Sequence, residues 1–179
     1  MKTGVIFISA LLLAVSSCRA DSKPPAMEAI GYSINGRFIV RLASKVQVFM
    51  LDDEEKNYRL VSEFASDSGG APLKALISDD GSYVVTLDGF GMGRGNDVVV
   101  AYKRDGTKLK SWRLDEILTK EDFAAVPRSV SSDWWRQEAL IAYSPPQLIV
   151  TGPNDQIATT KKRYWYQLDL TTLIWTKGR

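Results

Sequence analysis

The sequence predicts an all-β fold built from about three repeated antiparallel units, interrupted by one short helical insertion. Three observations carry that expectation. Short runs of β-branched and aromatic residues alternate with Gly, Asp, Asn and Pro, the strand and hairpin signature. A pattern of serine, turn and apolar strand occurs three times, and each occurrence is followed by a second hairpin. Between Thr119 and Pro127 the pattern changes to that of a short helix.

The chain begins "MKTGVIFISALLLAVSSCRADSKPP": a lysine, an apolar run from Gly4 to Val15, then small residues up to Cys18. This reads as a secretory leader covering residues 1–17, because the run falls short of the roughly 20 apolar residues a membrane-crossing helix needs. Val15-Ser16-Ser17-Cys18 resembles a bacterial lipobox, which makes Cys18 the lipidated first residue of the mature protein. The other reading is ordinary cleavage after Ala20. Cys18 is the single cysteine of the chain, so it has no internal disulfide partner, and two or more acyl chains at about 0.8 kcal/mol per buried CH₂ give a stable membrane anchor. Residues 18–28 then form a polar tether, and residues 29–179 one domain. Arg19 stands where enterobacterial lipoproteins retained in the inner membrane carry aspartate. The likeness therefore implies export to the cell envelope, on the periplasmic side of an outer membrane.

Within the domain the repeats are "SINGRFIVRL", "SDDGSYVVTL" and "SPPQLIVTG", starting at Ser33, Ser78 and Ser144. Their second hairpins turn near Asp52, Asp105 and Asp169 and return toward Phe64, Trp112 and Trp175. On this alignment Trp112 and Trp175 are expected to be equivalent core positions. The serines stand 45 and 66 residues apart, and setting aside an insertion at 115–138 restores a period of about 42. That period belongs to four-stranded propeller blades. Three blades are too few for a closed ring, which usually has four or more. The expected architecture is about three propeller-like antiparallel blades in an open or sandwich-like array. In the insertion, Thr119 followed by Asp122 makes a helix N-terminus and Pro127 a stop, predicting one helix.

"SDDGSYVVTL" followed by "VVVAYKRDGTKLKSW" resembles a blade of bacterial β-propeller and WD-repeat-like proteins. The run "DEILTKEDFAAVPRSVSSDWWR" is similar to uncharacterised exported proteins of that kind. The resemblance spans Leu76 to Arg136. It departs from the pattern where the first repeat has Asn-Gly for Asp-Asp-Gly, where the third has no glycine, and in lacking a terminal Trp-Asp throughout.

The stretch "DGFGMGRGND" places glycine at 89, 91, 93 and 95. A dinucleotide loop needs G-x-G-x-x-G between a strand and a helix. Here the glycines alternate and the strand "DVVVAY" follows, so the expectation is a mobile hairpin loop inside the central blade with no nucleotide affinity. Arg94 is its one candidate binding residue.

The chain has no histidine, which removes the commonest general base and metal ligand, and with Cys18 lipidated no thiol remains for catalysis or zinc. The acidic run Asp52 to Glu55 reads as a solvated hairpin tip, and Asp79 and Asp80 as turn residues. No catalytic residue, metal site or cofactor is expected. Lys and Arg total 23 against 21 Asp and Glu, interspersed. The densest basic patch, "TKKRYW" from Thr160, reads as a strand edge, so nucleic acid is not an expected partner.

The insertion ends in "SSDWWRQ". Adjacent strand side chains point to opposite faces, so one of Trp134 and Trp135 is expected in the core and the other exposed or lidded by the helix, although tryptophans commonly seal blade junctions and the preferred reading places both in the core. Trp134, Trp135, Arg136 and Arg94 are the candidate ligand-binding residues. The function expected is a non-catalytic envelope lipoprotein that binds a protein or glycan partner. The alternative is a carbohydrate-binding or carbohydrate-active protein that pairs an exposed tryptophan with carboxylates.

Overall fold

The computed structural model of the chain describes residues 28–66, 72, 74–89, 91–142, 145–152 and 164–178. The leader, Cys18, the tether up to Met27 and Lys161 to Arg163 lie outside the described residues. Among the described residues twelve strands form three four-stranded antiparallel sheets, each a simple meander. Blade one holds β1 (Ala29–Tyr32), β2 (Phe38–Leu42), β3 (Val46–Asp52) and β4 (Asn57–Phe64). Blade two holds β5 (Lys74–Ile77), β6 (Tyr83–Leu87), β7 (Val99–Lys103) and β8 (Lys108–Trp112). Blade three holds β9 (Glu138–Ala142), β10 (Gln147–Thr151), β11 (Trp165–Asp169) and β12 (Ile174–Lys177). The expected all-β array of propeller-like blades is what the chain forms.

Two of the three repeated serines explain why blades one and two match, and the third, Ser144, lies outside the described residues. Ser33 and Ser78 build the same turn: the backbone N–H of each donates to the carbonyl of Phe38 or Tyr83, at 2.9 and 3.0 Å. The N–H of Phe38 or Tyr83 in turn donates to the serine Oγ, at 2.9 and 3.0 Å. The hydroxyls donate to Asn35 and Asp80. Gly36 and Gly81 supply the positive φ, 72° and 66°, that closes each turn and that a Cβ disfavours. Asp52 and Asp169 share a second device. Each accepts two backbone N–H groups of the following turn on Oδ1, and each hairpin ends on a left-handed residue, Lys56 or Leu173.

Register corrects one expectation. Phe64 pairs with Val46 and Trp112 with Val99, in each case the first residue of the third strand. Trp175 pairs with Leu168, one position from the far end of β11, so its counterpart in blade one is Tyr58, opposite Leu51. Trp112 and Trp175 are not repeat equivalents. They meet across the junction of two blades, ring centroids 6.0 Å apart and nearly perpendicular at 85°.

The blades stack in chain order, with strands β1, β5 and β9 adjacent along the inner edge. Alternation in β2, with Phe38, Val40 and Leu42 buried, lays one face of blade one against Ala75, Ile77, Val84, Val100 and Tyr102 of blade two. The opposite face of blade two, with Val85, Leu87, Val99, Ala101 and Trp112, packs on Ile141, Leu148, Val150, Tyr166 and Leu168 of blade three. Blade two is thus buried on both faces, which is why β7 reads as an uninterrupted apolar run. The insertion forms two helices where one was expected: α1 (Leu114–Ile117) and α2 (Lys120–Ala125). Thr119 caps α2 by accepting the Asp122 N–H at 3.2 Å, and its extended backbone separates the helices.

Candidate functional site

In a meander the connections alternate between two ends. One end of the array carries tight turns: 33–37, 53–56, 78–82, 104–107 and 170–173. The other carries the glycine-rich connection 88–98 and the insertion 113–137. Arg94, Trp134, Trp135 and Arg136 all fall at this loop-bearing end.

The glycine-rich connection is not the free hairpin loop expected. Its tip is bound to the insertion. The Arg94 guanidinium donates to the carbonyl oxygens of Val130 (2.5 Å) and Ser129 (2.6 Å) and to Asp133 Oδ1 (3.1 Å). The Asp133 N–H donates to the Met92 carbonyl at 2.7 Å. A Cβ placed on Gly93, at φ 77°, would lie 2.8 Å from both Cβ and O of Asp133, so glycine is required here by contact as well as by conformation. Asp133 is buried and also faces Arg128 at 3.8 Å. The physical reason for the difference is an arginine donor fork that reaches two carbonyls and a carboxylate far away in sequence.

The adjacent tryptophans, which precede β9 and lie outside any described strand, divide where both were expected in the core. Trp135 is fully buried and Trp134 is 41% exposed. The Trp135 carbonyl accepts the Tyr164 hydroxyl at 3.0 Å, and the Trp134 N–H donates to the Pro127 carbonyl at 2.8 Å. Next along the chain, Arg136 is not a surface partner for an aromatic platform. Its buried guanidinium donates to the Asp88 carbonyl, lies 3.5 Å from Asp88 Oδ1 and stacks near the Trp135 ring at 5.8 Å.

Asp88 is the group sequence reasoning missed. Burial pushes its carboxyl up to about 6, against the pull of the Gly93 N–H and the Arg136 charge. Lys74 lies on the same junction and donates to the Ala139 carbonyl at 2.8 Å. Burial, then the neighbouring Arg136 charge, lower its pKa. The sequence signal was an aspartate ending a buried strand just before a glycine run, but its partner stands 48 residues away. Also missed was Val130, 98% exposed at the tip that Arg94 holds. On the far side, buried Asp122 accepts from the Tyr166 hydroxyl (2.6 Å) and pairs with Lys177 (2.5 Å), fastening α2 to blade three.

The loop-bearing end is therefore a rigid frame of internal ion pairs displaying two apolar side chains, Val130 and Trp134. Among the described residues no three His, Cys, Asp or Glu side chains converge as metal ligands would, and no helix is long and apolar enough to cross a membrane.

Fold and site together define an open β-propeller-like array. No protein-family model matches the chain, and no curated protein matches it. Among solved structures it is similar to a Bacteroides fragilis protein described as a 6-phosphogluconolactonase, at 13% identity and a TM-score of 0.47. The match covers 88% of this chain, which spans 43% of the length of that one.

Proposed function

We propose that the chain is a non-catalytic interaction module of the cell envelope, an exported lipoprotein anchored through Cys18, that captures an envelope protein or glycan at its loop-bearing end. The observation that carries this reading is the display of Val130 and Trp134. Apolar side chains left in water on a frame tied down by Arg94, Asp133 and the Asp88–Arg136 pair match a contact surface: exposed, aromatic and pre-ordered, so that little entropy is lost on binding. In this reading Trp134 touches the partner, while Trp135, Arg136 and Arg94 hold the frame in place. The carbohydrate reading draws on the same half-exposed indole, since a sugar ring stacks on such a face.

Cross-linking and pull-down from native membranes test the proposal. The parent should retain a specific protein or glycan partner, Val130→Ser and Trp134→Ala should each lose it, and Arg104→Ala, at the tight-turn end, should retain it. Equal capture by all four proteins sinks the assignment. Saturable quenching of tryptophan fluorescence by soluble glycans, lost in Trp134→Ala, identifies the partner as sugar. Separately, Cys18→Ala should release the protein from washed membranes. Unchanged fractionation, with no acyl mass on Cys18, refutes the anchor.

A further inference from the structure

Each blade has a leading face, turned toward the blade before it, and a trailing face, turned toward the blade after it. The strand registers make the positions comparable. In blade two the leading face is Ala75, Thr86 and Val100 in one row and Ile77, Val84 and Tyr102 in the next. In blade three it is Ala139, Val150 and Tyr166, then Ile141, Leu148 and Leu168. Blade one buries the first set and blade two the second.

The corresponding rows of blade one are Ile30, Arg41, Gln47 and Glu63, then Tyr32, Ile39, Phe49 and Leu60. An apolar row thus crosses all four strands of blade one with no described blade against it. Tyr32 is 61%, Ile30 56% and Leu60 50% exposed. Among the described residues the trailing face of blade three is likewise uncovered, with Glu138, Thr151 and Trp165 in one row and Leu140, Ile149, Gln167 and Thr176 in the next. Leu140 and Trp165 are exposed.

We propose that the trailing face of blade three of a second copy covers the leading face of blade one, and that the reciprocal contact closes two chains into a six-bladed ring about a two-fold axis. The interface continues, leading face on trailing face, the two junctions already present within the chain. Six lies inside the usual range of about four to eight blades, and a two-fold dimer is the commonest closed assembly. Two identical junctions form at once, so the apolar surface covered is double that of a single contact.

Charge supports the same register. Within the chain Lys74, which opens β5, reaches across its junction to the Ala139 carbonyl. Glu138 opens β9 and is the repeat equivalent of Lys74, and Ile30 is the equivalent of Ala139. Glu138 of the second copy is therefore directed at the Ile30 position, whose register neighbour is Arg41. Arg41 already pairs with Glu28 of its own chain at 2.7 Å, and the second copy's Glu138 adds a further carboxylate beside that guanidinium.

Sedimentation velocity of the full chain in mild detergent tests this. The parent should be a dimer at micromolar concentration. Tyr32→Asp and Leu140→Asp, on opposite flanks, should each weaken dimerisation at least tenfold. Circular dichroism and the melting temperature of the monomeric variants confirm that they are folded. Arg41→Glu and Glu138→Arg should each weaken the dimer, and the combined charge reversal should restore it. A monomeric parent overturns the proposal, as it would if another segment of the same polypeptide covered blade one. So does a dimer indifferent to Leu140→Asp, which would mean pairing of blade one with blade one, or a double reversal that restores nothing. Glu138 opens β9 directly after the insertion, whereas Tyr32 ends β1 at the tight-turn end, so Tyr32→Asp should lose the dimer and still capture the partner, which separates this outcome from that of the loop-bearing end.

Discussion

Replacing Trp112 with alanine tests whether the junction between the second and third blades carries the stability of the fold. The indole is 2% exposed, lies against Trp175 edge to face, and has the Lys110 ammonium 5.4 Å from its ring. Truncating a buried tryptophan costs about 3 to 5 kcal/mol in transfer energy and residual cavity. Loss of the perpendicular aromatic contact adds about 0.5 to 1.5 kcal/mol. A total of about 5 kcal/mol is a third or more of the roughly 5 to 15 kcal/mol that holds a domain together. Trp175 is half-buried at the last strand of its sheet, so Trp175→Ala should cost about half as much. In the double variant the shared contact is already gone, so its cost should fall short of the sum by about 1 kcal/mol. Urea titration reads all three, with midpoints compared at constant slope so that a changed denatured state is not mistaken for lost stability. A Trp112→Ala midpoint near the parent's, or equal losses for the two tryptophans, would refute the register and the packing drawn from it.

Arg94→Ala should free the glycine-rich connection, speeding amide exchange at Gly93 and Asp133 and costing about 1 to 3 kcal/mol; unchanged exchange would show that the clamp is idle. Ser33→Ala and Ser78→Ala should destabilise by similar amounts, about 1 to 2 kcal/mol each, because each hydroxyl both accepts a backbone N–H and donates to a neighbouring side chain; a large disparity in denaturation midpoint would mean that the two turns are not equivalent. The Asp88 carboxyl should titrate near pH 6 by carbon-13 NMR, against an ordinary value of about 3.9. Between those values the folded chain holds a proton that the unfolded chain has lost. The stability contributed by protonated Asp88 is therefore present below pH ~4 and lost as pH rises through ~6. Asp169, held low first by the Thr171 hydroxyl, acts in the opposite sense and lower on the pH scale. An Asp88 midpoint near 4 would contradict its burial.

Local chemistry was legible in the sequence because it acts over a few residues. Ser33 and Ser78 with their glycines, Asp52 and Asp169 in their hairpins and Thr119 capping α2 all follow from spacing over a few residues. The blade count followed from the repetition of those signals. What the sequence left open was set by contacts between distant segments. Arg94 reads as a free tip residue until the insertion folds over it, and Asp88 reads as a loop aspartate until Arg136 arrives from 48 residues away. Trp175 matches Trp112 along the chain, yet it stands in the second position of its strand after the turn and Trp112 in the fifth of its own, which places them at different heights. Periodicity reports which face of a strand a side chain takes, but not which blade covers that face. The same alternation that buries Val84 under blade one leaves Ile39 partly in water, because coverage depends on what stacks against the sheet, and neighbouring residues carry no record of that.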